Sequence, residues 1–489
     1  MKLYNRRFAK YIMVGMLLLI TGGSCTKSFD KINTDPNFPP KVPGNNTLAY
    51  SIVYYGEFLY DLWGDLNEPE CFGGHLGKIQ YIDESRNVYR GSVMENLWTY
   101  HYRVLNNLQL SITDAIATNH LKQQAAALTF KAYVAQIATD TWGDIPYTDA
   151  LKGNAGVITP KYDSQKSIYT ALLADLKTAN DLFAKPSPDV LGDGDLLFGG
   201  DVDKWRKFCN SLRLRLAIRL SKVDAPTAKS NIEEIAGDPD KYPIMTDNTD
   251  NAFLNWPGGK PYNEPWASNK LDDGRDDHAV SDVLINTLTQ LSDPRMPVYA
   301  KPASDGKFRG VGIGIPDNEK LPSIALYSRI GARFRDNLQG FTPYMRVAEV
   351  KFILAEAAAN GWNAGVSAQQ AYEDGIDASL AENKVSNAGY KTSAGVKWTG
   401  DVKQIYLQKW IALFKDGHEA WAETRRTDVP LLPAAKGSPY PGHTRTSFHL
   451  PYPNSETTAN GANSKATIDQ VKDNFWGKQM YWDTRTGVN

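Results

Sequence analysis

Apolar residues recur at steps of three and four along most of the chain and lose that rhythm in a few long stretches. From Thr47 to Asp65, Leu48, Ile52, Tyr55, Leu59 and Leu62 fall on one stripe, the spacing of an amphipathic helix. Met94 to Ala117 repeats it through Leu97, His101, Leu105, Leu108 and Ile112. Leu121 to Asp140 is alanine-rich and reads as helix throughout. Ser167 to Ala184 follows, with Ser164 placed to cap it. Val202 to Lys222 is apolar on one face and basic on the other; its arginines are expected to pair with acids on neighbouring helices. Periodicity then fades from 237 to 345 and returns only at Val280 to Leu291. It resumes at Met345 to Asn360, Ser367 to Asn383, and Val402 to Lys415 with a continuation to Arg425. The tail from 429 to 489 is loop-rich again.

This pattern predicts an all-α fold of tetratricopeptide-like helix pairs interrupted by a large loop-rich insertion. A strict 34-residue repeat is not visible; only fragments such as Ala125–Ala127 with Ala132, and Ala355 with Ala357–Ala359, carry the small residues such packing uses. The expected divisions are 47–236, 237–345 and 346–489. Long loops inside a compact body are usually functional. At the end of the third helix stands TWGDIPYTDAL (Thr141–Leu151). Gly143 can take a left-handed terminal conformation and Pro146 forbids continuation, so the motif reads as a helix stop that Trp142 packs.

The N-terminus has a different logic. Lys2, Arg6, Arg7 and Lys10 precede the apolar run Tyr11–Ile20, and small residues lead to Cys25. This is a signal peptide of residues 1–24, and the small residues before a cysteine resemble a lipobox, although Gly22 stands where leucine is usual. Cys25 is the expected lipidation site, and 25–46 the expected tether to the body. No other segment is long and apolar enough to span a bilayer. The formal net charge of −1 removes the electrostatic case for a nucleic-acid partner. Cys71 and Cys209 could form a disulfide or stand as two buried thiols.

Catalytic motifs are not apparent. His418-Glu419 lacks the second histidine of a zinc site, and there is no nucleophile elbow or P-loop. Gly310, Gly312 and Gly314 precede a proline rather than a helix. A pair of glycosidase carboxylates is not singled out among 55 acidic residues, so enzymatic activity is not expected. Acid clusters at Asp193–Asp195, Asp201 with Asp203, and Asp272–Asp277 read as solvated turns, with structural calcium as the alternative and no other cofactor expected. Twelve Trp and 25 Tyr are many, and several lie in loops. Sugar rings stack on aromatic planes while their hydroxyls seek amide and charged partners. On that basis Trp266, Trp256, Tyr262 and Asn269 in NWPGGKPYNEPWASN are candidate ligand-binding residues. Tyr81, Tyr89, Asn87 and Arg90 in the irregular stretch 67–92 form a second group.

Several stretches together resemble the SusD/RagB family of outer-membrane nutrient-binding lipoproteins of Bacteroidetes. They are the signal with Cys25, FDKINTDPN, TWGDIPYTDAL, GGDVDKWRKFCNSLRLRLAIRLS, DPRMPVYA, RVAEVKFILAEAA and IYLQKWIALFKDGHEAWAETRRTDVPLL, in that order along nearly the whole chain. The resemblance implies an all-α body with a loop-rich ligand-binding face. It implies capture of oligosaccharide, or in some members peptide, without bond cleavage. It also implies attachment to the outer membrane facing the cell exterior, and delivery to a SusC-like TonB-dependent transporter. It makes Trp142 a structural residue and assigns no binding residue by position.

Overall fold

A computed structural model of the protein describes residues 42–488. Cys25 and most of the expected tether lie outside the described residues. Helix α1 (Gly44–Leu59) packs on α2 (Gly91–Thr118), and α2 on α3 (Leu121–Trp142). The series continues through α4 (Gln165–Ala184), α5 (Val202–Arg219) and α6 (Ala225–Gly237), each against the one before. Stacking each helix on its sequence neighbour is how helical repeats bury apolar faces too narrow to fold alone. The local chemistry supports each boundary. Asn119, in the left-handed conformation, closes α2 one residue before His120 opens α3. Ser164 accepts from the Ser167 amide at the start of α4, and Asp201 from the Lys204 amide at the start of α5.

Three helix boundaries differ from the sequence expectation. α1 ends at Leu59, and Leu62–Leu66 forms a separate π-helical turn capped by Asp61. α6 was not foreseen, because only Ala228, Ile232 and Ile235 of its 13 residues are buried and they make a sparse stripe. The helix expected to run from Val402 to Arg425 is two, α10 (Val402–Ala412) and α11 (Gly417–Thr427). Lys415 takes a left-handed φ of 69°, and Asp416 caps α11 through the Glu419 amide.

The second half begins with α7 (Asp282–Gln290), which Ser281 caps, and continues through α8 (Val347–Ala359) and α9 (Ala368–Glu382), which pack on each other; α10 lies on α8. α8 returns to α5, and α11 to α3. The arginines of α5 line that seam. Arg215 Nε lies 2.7 Å from Glu349 Oε1 of α8. Arg219 reaches Glu419 Oε2 at 2.5 Å and Glu423 Oε1 at 2.7 Å, both on α11. Arg426 bridges Glu423 at 2.8 Å and Glu356 at 2.6 Å. All of these side chains are buried. The arginines therefore join helices, as the one-sided basic pattern implied.

TWGDIPYTDAL has a similar role. Gly143 takes a φ of 89° and Trp142 is buried, its Nε1 donating to the Pro451 carbonyl at 3.0 Å. Tyr452 Oη returns a hydrogen bond to the Trp142 carbonyl. The stop motif thus clamps the C-terminal tail onto the helix stack. Cys71 and Cys209 are both buried free thiols.

Two short antiparallel ribbons organise the insertion. Strand β1 (Leu76–Lys78) pairs with β3 (His278–Val280), tying the first irregular stretch to the second. Strand β2 (Ala252–Asn255) pairs with β4 (Phe341–Met345), so the insertion hangs from one ribbon by both ends. That ribbon lies against α1 at Gly56, where an added Cβ would come within 2.7 Å of Leu254 and of the Tyr344 hydroxyl. Glycine there permits the close approach that shapes the neighbouring cleft.

Candidate ligand-binding cleft

Where the ribbon meets α1, it leaves a cleft of about 600 Å³. Tyr50, Val53 and Tyr54 of α1 form one wall, and Trp256, Pro261 and Tyr262 another. A smaller cleft of about 260 Å³ lies beside it and shares Glu57 and Pro261. Phe58, Asp61 and Trp63 line its α1 side, and Asn263, Asn269 and Asp273 the insertion side. Through Glu57 and Pro261 the two form one groove.

Aromatic planes follow α1 along this groove. Tyr50 and Tyr54 stack with centroids 4.9 Å apart, and Tyr54 and Phe58 lie 4.3 Å apart. Tyr100 of α2 extends the row, 4.4 Å from Phe58. Arg103 donates to the Tyr54 hydroxyl at 2.7 Å and fixes that ring. At the far end Trp63 is 43% exposed, with the Arg90 guanidinium 5.2 Å from its ring centroid. Tyr50, Tyr54 and Phe58 sit four apart in sequence, on a side of α1 away from its core stripe. Large apolar side chains on a face that amphipathic logic assigns to water were a readable signal, and the loop-centred reading passed over it.

The polar groups are three carboxylates, Glu57, Asp61 and Asp273, beside the amides of Asn255, Asn263 and Asn269, the Ser268 hydroxyl and the tyrosine hydroxyls. The Asp61 carboxylate accepts from the Trp63 and Gly64 amides at 2.7 and 2.6 Å. Burial pushes its pKa up to about 7, opposed by those two N–H groups. Burial also raises Glu57. Such a surface can hold a ring by stacking and accept hydrogen bonds from its edge.

The family described as starch-binding associating with outer membrane, SusD-like, matches residues 67–453, most of the chain. The chain belongs to the SusD-like family. No curated protein matches it. Among solved structures, this SusD-like chain is similar to a chitin-binding SusD homolog from Flavobacterium johnsoniae, 24% identical with a TM-score of 0.77, over 91% of this chain and 98% of that one. It is similar to a SusD homolog from Bacteroides uniformis, 24% identical with a TM-score of 0.78, over 90% and 99% of the two chains. A SusD homolog from Bacteroides thetaiotaomicron is 23% identical with a TM-score of 0.77, over 91% and 100%. The SusD-like fold is thus helix-dominated, as expected. Among the described residues no helix is long and apolar enough to cross a membrane.

The residues singled out in this SusD-like sequence separate into three groups. Tyr262, 52% exposed, lines the large cleft, and Trp256 lines it while only 4% exposed, its Nε1 donating to Thr342 Oγ1 at 3.0 Å. Trp266 is a correction. It is fully buried against Phe414 and under the Lys415 ammonium, 5.1 Å from its ring, and offers no face to a ligand. Its Pro-rich surroundings are a helix start, Pro265–Leu271 capped by Glu264, rather than an open loop. Asn269 borders the small cleft but is buried, and its Oδ1 accepts from Arg335 at 3.2 Å.

In the other stretch, Asn87 is buried in the left-handed conformation that ends a 3₁₀ turn, so it shapes backbone. Tyr89 is half-buried and donates to Asn454 Oδ1 at 3.2 Å. Arg90 pairs with Glu68 and Glu84. Tyr81 stays open to solvent, with the Arg275 guanidinium 4.5 Å from its ring centroid. The acid clusters also have local uses. Asp195 accepts three backbone amides, Asp272 bonds Ser268 and Asn263, and Asp277 pairs with Arg275. Among the described residues no group of three or more His, Cys, Asp or Glu is placed to hold a metal ion.

Proposed function

We propose that this SusD-like protein binds oligosaccharide or polysaccharide nutrients in the α1 groove, without cleaving them. The observation that carries the reading is the set of aromatic residues, Tyr50, Tyr54, Trp256 and Tyr262, that line one cleft of sugar-binding size, about 600 Å³. The family description as starch-binding and the chitin-binding neighbour support the ligand class. Cys25 is the acylated residue that anchors the chain to the outer membrane with its groove outward. The protein hands its glycan to a SusC-like TonB-dependent transporter, the partner that family membership suggests. No cofactor enters this reading.

The test is a binding screen of the full-length lipoprotein in detergent, by affinity gel and calorimetry. Plant, host and microbial polysaccharides are run beside a peptide digest. Retention by a polysaccharide with no released sugar is expected. Retention of the digest alone would replace the reading with peptide capture, and product release would make the protein a hydrolase. Exchange of Cys25 for serine is expected to abolish acyl labelling and release the protein from membranes; continued labelling would remove the anchor assignment.

A further inference from the structure

The ionisable residues lining the groove are of one sign. Glu57 lies where the two clefts join, and Asp61 and Asp273 line the smaller one. Among the described residues no Lys, Arg or His lines either cleft. Of the cations around the groove, Arg103 touches it at its outer edge, through the Tyr54 hydroxyl at 2.7 Å, and three others pair with acids. Lys260 Nζ lies 3.3 Å from Asp272, Arg90 pairs with the buried Glu68, and Arg275 donates to Asp277 at 2.9 Å. Glu57 is half-buried among Tyr54, Phe58 and Pro261, and its carboxylate makes no hydrogen bond or ion pair with the described residues.

We propose that the groove selects glycans that carry no acidic groups, and that Glu57 is the residue that sets this selectivity. The inference rests on the glycan reading above. An ionised carboxylate can only accept hydrogen bonds. Sugar hydroxyls, acetamido N–H groups and ammonium groups all donate, and each would give Glu57 the partner it lacks. A uronate or sulfate ester would instead bring a second anion into an apolar, partly dehydrated site, where like charges repel more strongly than in water. Without Lys2, Arg6, Arg7 and Lys10 of the signal peptide the formal net charge is −5, and surface charge is screened beyond about 8 Å at physiological salt, so the rejection argued here is local to the groove.

The experiment takes the neutral polymer retained in the screen and compares its hydroxyethyl and carboxymethyl derivatives, which differ in charge at similar bulk. The hydroxyethyl form should bind within about threefold of the parent, and the carboxymethyl form at least about tenfold more weakly. Glu57→Gln should bring the two derivatives to within about threefold of each other. Asp273→Asn, on an exposed turn, should narrow the gap by less. If the retained polymer is itself a uronan or a sulfated glycan, the inference falls while the glycan reading stands. It falls in the same way if the derivatives bind alike, or if Glu57→Gln leaves their ratio unchanged. Silence on every polysaccharide would remove the glycan reading and this inference together.

Discussion

At the scale of single residues, exposure separates the two roles an aromatic can have. Tyr262 stands in solvent at the mouth of the cleft, so Tyr262→Ala should leave the melting temperature nearly unchanged and weaken glycan binding about fivefold, the equivalent of one lost stacking contact of roughly 1 kcal/mol. Calorimetry beside a thermal melt checks both halves. Trp266→Ala should do the reverse, costing about 3–5 kcal/mol of stability and leaving the affinity of the remaining folded protein unchanged. A loss of affinity in the folded Trp266→Ala protein would return that tryptophan to the site. The sequence pointed to the right segment, NWPGGKPYNEPWASN, but could not rank its two tryptophans. Neighbouring Pro and Gly mark an exposed loop and a helix start alike, and only the Glu264 cap shows that Trp266 begins a helix that faces the core. The α1 aromatics were legible for the opposite reason. Tyr50, Tyr54 and Phe58 have helical spacing and lie off the buried stripe, which periodicity alone reveals.

At the scale of elements, the helices were readable because each carries its own stripe and cap, and the seam between them was readable in part. The one-sided arginines of α5 announced ionic partners, but which acids they meet is set by the return of α8 and α11 onto α5. Arg219→Met should destabilise the fold by about 3–5 kcal/mol, since Glu419 and Glu423 would lose a buried counter-ion. Chemical denaturation measures it, and a loss below about 0.5 kcal/mol would show the seam to be slack. Gly56→Ala should cost about 1–3 kcal/mol through overpacking against Leu254 and Tyr344, and should lower glycan affinity by moving the ribbon that walls the cleft. The breaks at Leu59 and at Leu413–Asp416 were not legible. They follow from a π-helical turn and from a left-handed lysine, and neither disturbs the apolar rhythm.

At the scale of the whole molecule, stability should peak at intermediate pH. Burial pushes the Asp416 carboxyl up to about 8 and raises Glu70. Unfolded carboxyls ionise near pH 4, so the folded state holds these protons and the unfolded state does not. Their contribution is complete below about pH 4 and is lost as the pH rises through about 8, with a slope near 1.4 kcal/mol per unit for each proton. Buried histidines act in the opposite sense. Burial lowers His75 and His418 to about 3 and His101 and His449 to about 4, below the unfolded value near 6.5. Their contribution is complete above about pH 6.5 and fades as the pH falls toward 3 to 4. Urea midpoints measured from pH 4 to pH 9 should therefore fall on the alkaline side. Asp416→Asn, which keeps a capping side chain, should flatten that limb. An unchanged limb would assign it to other groups.

The ribbon of β2 and β4 has a consequence for how such a protein can change. Trp256 donates its amide to the Gly340 carbonyl at 3.0 Å, so a segment of more than eighty residues leaves the helical body and rejoins it at neighbouring points. Closing a loop grows only slowly costlier as the loop lengthens, and here the rigid pair of strands fixes both ends in advance. The turn from Pro257 to Asn263 can be exchanged as a cassette, while Trp266 against Phe414 and β3 against β1 hold the rest of the segment to the helical body. One groove wall travels with the cassette, and the α1 aromatics remain behind as a constant floor. Diversification of ligand preference on this scaffold then becomes a matter of exchanging one wall against a fixed one.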